Sequence, residues 1–124
     1  MADPVFSPPS GGSVYRDRQL LVDRTERPLG LRFVGEIDLS NSGAILSALR
    51  HVLDGPTNVH LDLRHLVFCD VSGIRALVNL AEALGPDRRL FLHGLAPELE
   101  RVIRAVGWSE GSAFSFCGCA ELAG

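Results

Sequence analysis

Within residues 59–74 the hydrophobic period of the chain changes once, and that change constrains the fold more than any other feature of the sequence. Val59, Leu61 and Leu63 alternate with His60, Asp62 and Arg64, the two-residue period of a strand. Beyond Asp70 the apolar residues Ile74, Leu77, Ala81 and Leu84 recur at spacings of three and four, which makes one stripe on a helix. The junction Asp70-Val71-Ser72-Gly73 therefore sets a carboxylate and a hydroxyl where a strand hands over to a helix. Free backbone N–H groups and a partial positive charge at a helix start make such a place hospitable to an anion.

The same strand-then-helix alternation recurs around this stretch. Residues 1–18 carry Pro4, Pro8, Pro9, Gly11 and Gly12 with little apolar pattern and are expected to form a disordered arm. Gln19–Asp23 reads as a short strand, Thr25–Gly30 as a turn punctuated by Pro28 and Gly30, and Leu31–Asp38 as a second strand. Ser40, Asn41 or Ser42 can cap a first helix whose buried stripe is Ile45, Leu49, Val52 and Leu53, with Gly55-Pro56 as its stop. Gly85-Pro86 stops the second helix, and Arg89–Leu92 is a brief apolar strand of the kind covered by helices. Pro97 opens a third helix with Leu99, Val102, Ile103 and Val106 on one face and Gly107 as its end, and Ala113–Phe116 is placed as a last edge strand. Two strands followed by strand–helix alternation give an α/β domain with one sheet.

Size and composition narrow the function classes. A chain of 124 residues supports one core. No stretch approaches the roughly 18–20 apolar residues of a membrane span, and the first residues lack the basic flank and apolar run of a signal peptide. A cytoplasmic protein without membrane insertion is the expectation. The net charge of −3 disfavours direct nucleic-acid binding. All twelve basic residues are arginine, a usage typical of GC-rich bacterial genes. Three cysteines suit no disulfide framework, and Cys117-Gly118-Cys119 finds no matching pair elsewhere in the sequence at zinc-ligand spacing. Cys69 is read as a small buried hydrophobe. His51, His60, His65 and His93 show no metal-binding spacing, so neither a metal nor any other cofactor is called.

Leu61-Asp62-Leu63, a short apolar stretch, and then Asp70-Val71-Ser72-Gly73-Ile74-Arg75-Ala76-Leu77 resemble the central signature of STAS domains, the family of anti-sigma-factor antagonists and of related domains in sulphate transporters. Gly35-Glu36-Ile37-Asp38 is similar to the G-E-L-D segment that these domains place before their first helix. The resemblance covers about residues 20–110. It implies a mixed central sheet with helices mainly on one face, so that residues 19–116 form the STAS-like domain and 117–124 a C-terminal tail. Family members commonly read D-S-S-G at the junction, and the second serine is the one phosphorylated. Ser72 holds that position here, while Val71 replaces the first serine.

What the resemblance implies is binding, not catalysis. In this reading the unmodified domain binds an anti-sigma factor that is itself a serine kinase, freeing a sigma factor for transcription. Phosphorylation of Ser72 ends the binding, and a serine phosphatase restores it. Asp70, Val71, Ser72, Gly73 and Arg75, together with Glu36 and Asp38, are the residues expected to meet the partner. From the residues alone, Ser72 is equally a helix cap, Asp70 a turn or capping carboxylate, Glu36 and Asp38 a solvated loop, and Arg75 soluble surface. Val71 leaves a second reading open: a STAS subunit that scaffolds a stress-signalling or a lipid or anion transport complex without phosphorylation. A small enzyme or redox protein using Ser72 or Cys117/Cys119 is a third, though the G-x-S-x-G elbow and the phosphate-binding loop are both absent.

Overall fold

The computed structural model describes residues 13–26, 29–52, 54–85, 87–105 and 114–117. In chain order the elements are β1 (Ser13–Arg16), β2 (Leu20–Glu26), β3 (Leu29–Ile37), α1 (Ser42–Val52), β4 (Val59–Cys69), α2 (Val71–Ala83), β5 (Leu90–His93), α3 (Pro97–Ala105) and β6 (Phe114–Cys117). The six strands form one sheet in the order β1-β2-β3-β4-β5-β6. The pairs β1–β2 and β2–β3 are antiparallel, and β3–β4, β4–β5 and β5–β6 are parallel. Each parallel step is a strand–helix–strand crossover in the same direction. Right-handed crossovers stepping the same way set α1, α2 and α3 on one face of the sheet. The expected mixed α/β architecture is the one observed.

The core lies between that face and the helices. Leu20 and Val22 of β2, Leu31, Phe33 and Ile37 of β3, Leu61 and Leu63 of β4, and Leu90 and Leu92 of β5 meet Ile45 and Leu49 of α1, Ile74, Leu77 and Leu80 of α2, and Ile103 of α3. Each buried aliphatic side chain contributes about 1.5–3 kcal/mol relative to exposure. The α2 stripe lies inward as its period requires. On α3, Ile103 is buried but Val102, expected beside it, is exposed. Leu53, Val106 and Gly107 lie outside the described residues.

Three expectations need correction. Residues 13–18 are not part of a disordered arm: Ser13–Arg16 pairs with β2, and Asp17 shapes the turn by accepting the N–H groups of Gln19 and Leu20, each at 2.8 Å. Residues 1–12 lie outside the described residues. Gly30 is not a turn residue but sits inside β3, paired with Thr25 and His60. Cys117, placed in the tail, belongs to β6. No helix among the described residues is long and apolar enough to cross a membrane.

β4 does not keep a simple alternation along its 11 residues. Between Arg32↔Asp62 and Val34↔His65, and again between Gly35↔Leu66 and Glu36↔Phe68, it takes one more residue than β3. Such bulges re-aim side chains. They leave Val67 and Phe68 exposed at the end of the strand, directly before the junction at Asp70.

Candidate functional site

β3 and β4 end side by side, because they are parallel neighbours with Ile37 paired to Cys69. The loop into α1 and the start of α2 are thereby brought together, and the Asp70 N–H donates to the Ile37 carbonyl at 3.2 Å. Glu36, Asp38, Asp70, Val71, Ser72 and Arg75 occupy this one rim.

Asp70, not Ser72, is the N-cap of α2. Its backbone is extended (φ −88°, ψ −175°), and Oδ1 accepts the Gly73 N–H at 3.0 Å, which satisfies one of the orphan donors of the helix start. The Ser72 hydroxyl donates to the same oxygen at 2.5 Å. That bond, more than any other contact, holds the Asp70 carboxyl below the usual carboxylate range; partial burial and the nearby charge of Asp38 oppose it, while backbone N–H groups assist. Asp70 is therefore ionised at neutral pH, and its depressed pKa contributes stability above the ordinary carboxylate range that is lost as pH falls through the folded value. Asp70→Ala is expected to lower stability by about 1 kcal/mol through the lost cap, read as a shift of the urea midpoint at pH 7.

The loop before α1 is built by two side chains. Asp38 Oδ1 accepts from the Ser40 N–H at 2.8 Å and the Ser40 hydroxyl at 2.6 Å, and the hydroxyl contact leads in lowering the Asp38 pKa. Asn41, almost fully buried, accepts the Asp38 N–H at 3.0 Å and donates to the Glu36 carbonyl at 3.1 Å. Its amide thus fastens the loop back onto the end of β3 instead of capping α1 through a free side chain. The sequence signal for this was only a polar residue among three candidate caps.

Gly73 is the one expected contact residue that the geometry removes from the surface. It is buried, and a Cβ there would lie 2.5 Å from Cys69 Sγ and 2.7 Å from Ile37 Cγ2. Glycine lets α2 start tight against the ends of β3 and β4. Cys69 itself is buried, and desolvation first, then the Asp70 charge, push its thiol up to about 12. A thiol so protonated is a packing group, not a nucleophile.

Exposed apolar side chains flank the junction. Leu39 is 80% exposed and Val71 59%, and Val67 and Phe68, 74% and 49% exposed, stand at the end of β4 just before it. A groove of about 370 Å³ opens between α1 and α2, lined by Leu39, Gly43, Leu46, Val71, Ser72 and Arg75 among others. Neither Leu39 nor Phe68 figured among the residues expected from the sequence. Among the described residues no group of three or more His, Cys, Asp or Glu converges to hold a metal.

The family described as "Mlab, STAS domain" matches residues 20–115. The chain belongs to the STAS domain family. Comparison with curated proteins gave no match. STAS domains act in general as binding modules and not as enzymes.

Proposed function

We propose that this STAS domain is an anti-sigma-factor antagonist whose docking surface is the rim of Leu39, Val67, Phe68 and Val71 around Ser72. The observation that carries the reading is that Ser72, a partly buried serine, lines the groove between α1 and α2 together with the exposed apolar residues Leu39 and Val71. Apolar side chains give a partner area to bury, and charge placed in their midst ends the fit. Asp38 and Asp70 already put two carboxylates there. A phosphoryl group on Ser72 adds about −1.5 to −2 charges, must give up the hydroxyl bond to Asp70, and competes with Asp70 for the start of α2. The modified rim thus becomes strongly anionic and hydrated, and a bound partner is expelled. The partner in this reading is an anti-sigma factor that is a serine kinase and holds ATP and Mg²⁺ on its own side; a serine phosphatase reverses the step.

Val71 favours a second reading. The side chain that replaces the first serine of the family pattern is exposed and adds contact area in place of an acceptor. A constitutive scaffold subunit of a stress-signalling or transport assembly would use it so, and the family description "Mlab, STAS domain" is compatible with that use. Affinity purification from the cells of origin separates the two. For the switch, Ser72 occupancy by phosphate changes with conditions, Ser72→Ala keeps the co-purifying partner, and Ser72→Glu loses it by at least tenfold. Retention of the partner by Ser72→Glu, with Ser72 unmodified throughout, would leave the scaffold.

A further inference from the structure

The turn that carries Ser72 occurs twice. Asp38-Leu39-Ser40 and Asp70-Val71-Ser72 each read as an aspartate, an apolar residue and a serine. Each follows directly on the end of a strand, β3 or β4. In each, the serine hydroxyl donates to Oδ1 of the aspartate two residues before it, at 2.6 Å from Ser40 and 2.5 Å from Ser72. The carbonyl of that aspartate accepts the N–H four residues on, from Ser42 or from Ile74, at 3.0 Å in both cases, the bond of a helical turn. The residue between, Leu39 or Val71, is exposed. The pairing of β3 with β4 sets the two copies on one rim, close enough for the charges of Asp38 and Asp70 to oppose each other.

The copies differ in access. Ser72 is partly buried, whereas Ser40 is exposed. Forming the loop needs only the Ser40 N–H on the Asp38 carboxylate, at 2.8 Å, so the hydroxyl on the same oxygen is an addition that both turns share. That bond occupies the hydroxyl hydrogen and leaves the oxygen lone pairs of an exposed residue open to an electrophile. Other hydroxyls nearby lack one feature or another. Ser42 is buried, and Ser47 and Thr57 are exposed but have no aspartate two residues before them.

We propose that Ser40 is a second phosphorylation site, modified by the same class of ATP-dependent serine kinase as Ser72; the inference rests on the switch reading of Ser72 given above. Ser40 Oγ attacks the γ-phosphorus of Mg²⁺-bound ATP, and the bond from that phosphorus to the bridging oxygen of ADP breaks. The hydroxyl proton passes to a base on the kinase and from there to solvent. A kinase that grips an exposed apolar side chain and the hydroxyl next to it in one turn meets the same two groups in the other. Two phosphoryl groups bring about −3 to −4 charges to the rim, twice the charge of one. Partner binding thereby becomes graded: one phosphate weakens it and two abolish it.

The test is phosphosite mapping by mass spectrometry on the full chain, incubated with Mg²⁺-ATP and an extract of the cells of origin under phosphatase inhibition. The parent should carry two phosphoryl groups, on Ser72 and Ser40, with Ser47 and Thr57 unmodified. Ser72→Ala should retain one, on Ser40, and the Ser40→Ala, Ser72→Ala double variant should lose both. The parent holds both turns intact, so its map does not depend on how a variant folds. Phosphate on Ser40 alone supports the second site while removing the Ser72 switch. Phosphate on Ser72 with Ser40 bare would overturn the second site and leave the switch standing. Labelling of Ser47 or Thr57 equal to that of Ser40 would assign the selection to exposure and refute the role of the turn. An unmodified Ser40 and Ser72 under every condition would sink both the inference and the reading beneath it.

Discussion

Replacing Asp62 with alanine is expected to lower the unfolding free energy by about 3 kcal/mol, the low end of what breaking a buried ion pair costs. Asp62 has no exposed surface. Its Oδ1 accepts the backbone N–H of Arg64 at 3.2 Å and Arg64 Nε at 2.9 Å, and its Oδ2 accepts Arg64 Nη2 at 2.9 Å and Arg32 Nε at 3.2 Å. A carboxylate held by four donors has most of its lost hydration returned to it. The low end applies because the Arg64 side chain is 41% exposed and can turn to water once its partner is gone. Burial alone would push the Asp62 pKa up, but the hydrogen bonds and charge of Arg64, with Arg32 behind them, bring it below the ordinary value. A depressed folded pKa contributes stability above the unfolded value, about 3.9, and the contribution disappears as pH falls through the folded one. Urea midpoints of the parent and Asp62→Ala should thus differ widely at pH 7 and converge in strong acid. A gap that persists undiminished there would assign the loss to packing instead of charge.

Gly30→Ala is expected to be worse, costing more than about 4 kcal/mol, a large share of the roughly 5–15 kcal/mol that holds a domain together. A Cβ at residue 30 would stand 1.6 Å from the His60 carbonyl oxygen and 2.6 Å from the carbonyl carbon. Both are backbone atoms of the neighbouring strand, so no rotamer change relieves the clash. β3 and β4, the central parallel pair, would have to separate. Circular dichroism melts should show no cooperative transition near that of the parent, and limited proteolysis should cut within β3 and β4. A midpoint within a few degrees of the parent would refute the close-approach argument.

Gly30 also shows where the sequence stops being legible. A glycine two residues after an arginine–proline pair looks like turn punctuation, because local chemistry offers no sign of a strand pressing against it from 30 residues further on. The same holds for the histidines: spacing along the chain suggests nothing, since only the β4–β5 pairing brings His60 to His93. What could be read was whatever one element settles by itself. The α2 stripe of Ile74, Leu77, Ala81 and Leu84 and the junction at Asp70 follow from period and capping chemistry, whereas the return of Gly35–Asp38 to its side was implied only by the family resemblance. The bulges in β4 did not, because a strand that takes extra residues leaves an alternation that looks merely imperfect. Val67 and Phe68 therefore passed for ordinary strand residues, although the two bulges are what hold them out on the rim. Val102 marks the opposite limit: helical spacing places it inward, yet α3 leaves it exposed.

Strand order and chain order coincide from β1 to β6, and this has a consequence for biosynthesis. No strand has to be threaded between two that are already paired, so the sheet can grow by addition at one edge as the chain is made, each new contact closing a short stretch. The surface around Ser72 needs nothing beyond the end of α2. The edge of the sheet beyond β5 waits for β6. A nascent chain thus completes the rim around Ser72 before the far edge of the sheet.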